Sequence, residues 1–385
     1  MYRASVRIVN FDNAATTYPK PPEVRQAVDR AVAYYGGNAG RGGHPITART
    51  SEMVFSARET VAAFFGGKVE NTIFTMNCTH ALNQAIRGVV SPGDHVIISS
   101  IEHNSVFRPV AALAKAGIIT FSIAQVSADP AETLQAFQQL IRPHTKAIAC
   151  TIAGNVTGQI MPWKELGELC QSRNICMIAD GAQACGILPV SMSDGINILC
   201  TAGHKGLYGI TGTGVLLTDG AFPLYPLMQG GTGSASASPD QPDFLPDRLE
   251  SGTLNIIGAA SLRAGIEFVQ RQPMERLLQK ESRLCTVFCS LLESDPAIRL
   301  YREQGVSYVP IVSFNGVDIP PEELAAALGE QGFCLRAGLH CSPLAHQTLG
   351  TPDGTVRFAP SAFSQESDVI RLADAVKKSV RMLKK

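Results

Sequence analysis

Short apolar runs alternate with longer stretches of helical periodicity through the first half of the chain. The runs at 8–11, 72–76, 95–100, 118–124, 146–151, 175–179, 196–200 and 215–217 predict buried strands. Helical patterns fall between them over 23–35, 47–65, 81–89 and 131–141. Continuously apolar strands separated by helices imply a mainly parallel sheet covered on both faces, hence an α/β fold. After 218 the pattern changes: 229–238 is rich in Gly, Ser and Thr, and 239–246 in turn formers. Helices follow over 257–270 and 274–293, then a strand near 309–314 and helices over 321–330 and 366–382. We expect a large domain over 12–252 and a smaller α+β domain over 253–385, completed by the N-terminal residues 1–11.

A length of 385 residues suits one large and one small domain. The 33 basic and 33 acidic residues balance, which argues against a nucleic-acid or anionic-membrane partner. No apolar run approaches a membrane span, and no signal-peptide core opens the chain. The ten cysteines are scattered without a C-x-x-C pair, several inside apolar runs. We therefore expect no metal site and no disulfide framework, but free thiols in a cytoplasmic protein.

Chemistry gathers at the predicted strand ends. Asn77, His103, Asn155, Asp180 and Lys205 each follow a strand, and open α/β sheets bind ligands there. Lys205, between two apolar runs, is poorly solvated, so its amine is more readily deprotonated and nucleophilic. With Asp180 at the preceding strand end, the pair matches pyridoxal phosphate (PLP) chemistry. There a lysine holds the cofactor as a Schiff base, and an acid keeps the pyridine nitrogen protonated so that the ring acts as an electron sink. The turn Asn77-Cys78-Thr79-His80 before a helix offers N–H groups and a hydroxyl to a phosphate, although Thr79 also suits a simple N-cap. The glycine-rich segment 36–45 carries Asn38, Arg41 and His44 and reads as a ligand-facing loop. Cys341, in a polar turn beside His340 and near Arg336, has surroundings that favour a thiolate, although a lone cysteine also suits an inert free thiol. Arg357 is either a surface ion-pair partner or a clamp for a substrate carboxylate.

The motifs F-D-N-A-A-T-T (11–17), E-H-N-S (102–105), N-V-T-G (155–158), D-G-A-Q (180–183), G-H-K-G-L-Y-G (203–209) and R-A-G-L-H-C (336–341) stand in family order. Together they resemble the class-V aminotransferase superfamily, and within it the cysteine desulfurases and selenocysteine lyases, from about Phe11 to the last helix. The resemblance implies the PLP-dependent transferase fold of type I, with a mainly parallel seven-stranded sheet flanked by helices. It implies that Lys205 carries PLP and shuttles protons, Asp180 pairs with the ring nitrogen, Gln183 bonds the ring oxygen and His103 stacks on the ring. Thr79, the Cys78 backbone and His204 would hold the phosphate, with Thr253 reaching in from a partner subunit. Asn155 and Arg357 would orient the substrate, Arg357 by its carboxylate, joined there by Asn13, His44 and Arg336. Cys341 would attack the substrate sulfur, leaving a persulfide and releasing alanine. Two positions depart from the family: Ala202, where serine is frequent, and Cys78, where threonine or alanine is usual. The expected protein is a homodimer acting on L-cysteine or L-selenocysteine and passing sulfur to an acceptor protein. A selenocysteine lyase or other β-elimination lyase, and a silent PLP-binding scaffold, are the alternatives.

Overall fold

The computed structural model describes residues 7–40 and 42–384. Residues 1–6 of the expected N-terminal contribution, and Arg41 of the glycine-rich loop, lie outside the described residues. The chain opens with β1 (Val9–Asn10), α1 (Pro22–Tyr34), α2 (Pro45–Phe65), β2 (Thr72–Thr75), α3 (Cys78–Val89), β3 (His95–Ser99), α4 (Asn104–Lys115) and β4 (Thr120–Ala124). It continues through α5 (Pro130–Gln139), β5 (Thr145–Thr151), α6 (Trp163–Ser172), β6 (Cys176–Asp180), β7 (Ile198–Ala202), β8 (Gly214–Thr218) and α7 (Ile256–Arg271).

These elements build a seven-stranded sheet in the order β2-β8-β7-β6-β5-β3-β4. Strands β4, β3, β5, β6 and β7 run parallel, whereas β8 is antiparallel to both neighbours. The connection 203–213 contains no crossover helix, which a parallel return needs. Every residue of β3, β6, β7 and β8 is buried, which is why these strands are largely apolar in sequence. Side chains alternate between the faces: Ile97, Ile148, Met177 and Leu199 enter one core, Val96, Ile98, Ala149 and Ile178 the other.

The second unit comprises α8 (Met274–Leu292), β9 (Ile298–Leu300), β10 (Val312–Gly316), α9 (Pro321–Glu330), β11 (Phe333–Cys334), β12 (Arg336–Gly338), α10 (Pro343–Leu349), β13 (Thr355–Phe358) and α11 (Glu366–Leu383). Its antiparallel sheet has the order β12-β13-β10-β9, and Phe288, Phe314, Phe358 and Phe11 share its core. β1 pairs in parallel with β11, and Asp12 bridges to Ala359. Helix α7 begins just past the expected boundary at 252/253, yet it packs on α1 and α2 through Ala259 and Ala260 and sends Leu262 and Ile266 into the large-sheet core. All ten cysteines are free. Among the described residues no helix is long and apolar enough to cross a membrane.

Candidate active site

The strand ends converge because β5, β6 and β7 are consecutive neighbours, with Thr151 opposite Asp180 and Asp180 opposite Cys200. The lysine turn leaves β7 through backbone that tolerates no Cβ. One on Gly203 would lie 2.3 Å from Thr213 Oγ1, and one on Gly206 2.4 Å from the Cys185 carbonyl oxygen. The His204 carbonyl accepts from Thr17 N (3.1 Å) and Lys20 Nζ (2.9 Å), tying this turn to the N-terminal loop.

One cavity of about 180 Å³ is lined by Cys78, Thr79, His103, Asn155, Asp180, Gln183, His204 and Lys205. Burial lowers the Lys205 pKa; the Asp180 carboxylate opposes this, and Arg357 and Arg336 reinforce it. Burial raises the Asp180 pKa, countered by the Ala182 N–H at 2.9 Å, by Lys205 and by the Cys78 thiol at 3.5 Å. Cys78 therefore turns its side chain to Asp180 as well as starting α3. His103 is pushed down to about 4, chiefly by burial and then by Lys205 and the nearby arginines. Its Nδ1 accepts from Ser105 N at 3.0 Å, so the neutral ring carries its proton on Nε2.

Asn77 caps α3, its Oδ1 accepting from His80 N at 2.8 Å. The N–H groups of Cys78 and Thr79 are left without acceptors inside the helix, at its positive end. His204 Nδ1 is buried with no hydrogen-bond partner, and burial lowers this imidazole to about 4. Helix start, threonine hydroxyl and unpartnered imidazole form a site for an anion; Asp180 suits a cationic nitrogen, and Lys205 is a poorly solvated amine.

Cys341 is exposed, with Arg336 Nη2 3.5 Å from its Sγ. Arg357 is 1% exposed, so it is not a surface ion pair. Its Nη2 donates to Asp12 Oδ1 (3.1 Å) and its Nη1 to the Asn155 carbonyl (2.9 Å), while Nε is buried without a partner. An unmet buried donor costs about 1–3 kcal/mol, and a guanidinium with a free N–H is a natural carboxylate site.

His44 and Thr253 lie outside this cavity, whereas Asn13 lines an adjoining pocket that Gln183 and Lys205 also line. His44 is exposed and caps α2, accepting from Thr47 N at 3.4 Å, outside the Lys205 cavity. Asn13 braces the N-terminal turn, donating to the Ala359 carbonyl at 2.9 Å and accepting from Tyr18 N at 3.0 Å. Thr253 lines a separate cavity with Thr75 and His80. The loop residues Asn38 and Gly40 face a further cavity of about 270 Å³ with Thr232 and Asp247. Asp12, Lys20 and Ser342 escaped notice in the sequence. Asp12 stands inside the F-D-N segment, whereas nothing local marks Lys20, which burial brings down to about 8.

The class-V aminotransferase family profile matches residues 9–372. The chain belongs to that family. A probable cysteine desulfurase of Methanothermobacter thermautotrophicus is 29% identical over 382 residues, covering 96% of this chain and 94% of that protein. A second, from Vibrio cholerae, is 30% identical over 396 residues, covering 98% and 94%. A third, from Mycolicibacterium paratuberculosis, is 31% identical, and this chain spans 54% of its length. Among solved structures, the apo cysteine desulfurase of Thermococcus onnurineus NA1 superposes with a TM-score of 0.89 at 27% identity, over 98% of this chain and 95% of that one. The cysteine desulfurase CsdA of Escherichia coli gives 0.86 at 26% identity, over 98% and 95%.

Proposed function

We propose that the protein is a PLP-dependent cysteine desulfurase that moves the sulfur of L-cysteine onto Cys341 and releases L-alanine. The observation that carries this is Cys341 itself: an exposed thiol beside Arg336, on a turn bonded to the lining of the Lys205 cavity through Asn155. Amino-group transfer alone has no use for such a thiol. The names of the relatives and structural neighbours point the same way.

The donor set fits PLP. The α3 start, Thr79 and His204 would take the phosphate, Asp180 the ring nitrogen, and Gln183 and His103 the ring. Bound there, PLP supplies an electron sink for charge developing on the amino acid. Arg357 holds the substrate carboxylate through the N–H groups that Asp12 and Asn155 leave free. Lys205, its amine made easier to deprotonate by burial, takes and returns the substrate's Cα proton. The Cys341 thiolate attacks the substrate sulfur. An S–S bond forms as the Cβ–S bond breaks; the electron pair stays with carbon, which takes up a proton to become alanine. The persulfide is then passed to a thiol of an acceptor protein. We further propose a cytoplasmic homodimer in which Thr253 completes the partner's phosphate site, with L-selenocysteine as an accompanying substrate.

The test is alanine formed from L-cysteine with a reductant present, in wild type and Cys341→Ala. Steady alanine from the wild type and almost none from the variant is expected. Equal alanine from both would remove the thiol from the mechanism and favour an elimination lyase. None from PLP-loaded wild type, with candidate acceptors supplied, would overturn the proposal.

A further inference from the structure

His340 and Cys341 both hold left-handed backbone angles, φ 48° and 59°. Non-glycine residues held in such conformations cost about 1–3 kcal/mol each and persist only where their surroundings over-determine them. Here the surroundings do so. Asn155 Nδ2 donates to the His340 carbonyl at 2.8 Å. Asn104 N donates to the Cys341 carbonyl at 2.7 Å, and Ser342 N to that of Leu339 at 2.8 Å. The His340 ring, 3% exposed, donates from Nε2 to the Thr355 carbonyl at 2.9 Å.

Ser342 is the anomalous member of this set. It occupies the N-cap of α10, yet its side chain makes no capping bond, although a capping serine contributes about 1 kcal/mol. Its hydroxyl instead donates to Asn155 Oδ1 at 2.6 Å, in a site where Ser342 is fully buried. The His340 carbonyl can only accept, so Asn155 must turn Nδ2 towards it, which leaves Oδ1 for the Ser342 hydroxyl. The two bonds straddle Cys341 and fix each other's direction. Asn155 keeps one N–H and one lone pair for a ligand, and its backbone carbonyl accepts from Arg357.

We propose that Ser342 is a positioning residue for the Cys341 thiol: with Asn155 it closes a clasp over the strained turn, so that the sulfur is presented from a fixed backbone. The clasp is a feature of the fold, while its catalytic value rests on the reading of Cys341 as the sulfur acceptor.

Ser342→Ala deletes one hydroxyl from a buried site, and two readouts follow it. The first is the rate of Cys341 alkylation by iodoacetamide in the PLP-loaded enzyme, followed by the mass of the Cys341 peptide. The second is kcat and KM for alanine formation. A released turn is expected to raise alkylation severalfold, and to lower kcat by about tenfold or more with KM little changed, as misplacement of a reacting group does. Asn155→Ser cuts the same clasp from its other side and is expected to raise alkylation too, so the outcome does not depend on how well one variant folds. Alkylation at the wild-type rate in both variants overturns the proposal whatever happens to kcat. Faster alkylation in variants of a protein whose wild type makes no alanine leaves the clasp standing and overturns the desulfurase reading instead.

Discussion

Asp180 and Lys205 share one cavity, and each partly offsets the shift that burial imposes on the other. Asp180→Asn takes away the carboxylate that opposes burial at Lys205 and the counter-charge for a ring nitrogen. We expect this variant to fold as judged by circular dichroism, to lose PLP on dialysis faster than wild type, and to form almost no alanine. Wild-type turnover would remove Asp180 from the site. Arg357→Lys replaces a planar fork by a point charge; KM for L-cysteine should rise about tenfold or more, in line with one lost charge-assisted contact, and an unchanged KM would place the carboxylate elsewhere. The lysine and the aspartate were legible because each ends an apolar run. The partners of Arg357 were not, because Asp12 and Asn155 lie 345 and 202 residues away in sequence and no local pattern announces the contact. His44 drew attention through its glycine-rich company, which reflects a loop and a helix cap rather than the Lys205 cavity.

Strands buried on both faces announce themselves in sequence, and short half-exposed ones do not. β12 has no fully buried residue, and α4 carries Pro109 within it, which masks its periodicity. The strand ends also hold a group that has no direct chemical task. Glu102, fully buried just past β3, accepts through Oε1 from Thr151 N (3.0 Å) and from the Ser99 hydroxyl, while Oε2 has no partner. Burial, outweighing those bonds, pushes its carboxyl up to about 8. An unfolded glutamate titrates near 4.3, so between roughly pH 4.3 and 8 the unfolded chain has released this proton while the folded one retains it. Stability therefore falls as pH rises through that window. Glu102→Gln cannot ionise. Its melting temperature relative to wild type should climb between pH 5 and pH 8, by about 2 °C or more. Glu281, buried beside the Tyr208 hydroxyl and also raised to about 8, leaves both proteins a common residual slope, so the difference between them is the quantity to measure. A constant difference across pH would show that Glu102 is ionised in the native protein.

At the scale of the molecule, a mainly parallel sheet covered on both faces follows from the alternation of strands and helices, but the strand order and the allegiance of α7 do not. A helix after a turn-rich stretch carries no mark of which core it will join, and its small residues Ala259 and Ala260 are what let it lie against α2. That packing leaves α1 and α2 with apolar side chains on the outside: Val32, Tyr34, Ile46 and Phe55 are all more than half exposed, as is Met76 beside the cavity that Thr253 lines. We propose that these side chains belong to a protein contact, since large exposed apolar patches mark such contacts. A second copy of the chain seated there would cover them, and the proposed homodimer needs Thr253 to complete the other subunit's phosphate site. Sedimentation equilibrium should then give about twice the 41.0 kDa chain mass at micromolar concentration. Phe55→Asp, which sets an unpaired charge on this face far from Asp180 and Lys205 in sequence, should shift the protein towards monomer. It should weaken PLP retention in step, because the monomer lacks its partner's threonine. Thr253→Ala should weaken retention while leaving the dimer intact. A Phe55→Asp monomer that holds PLP as tightly as wild type would mean that each chain completes its own phosphate site.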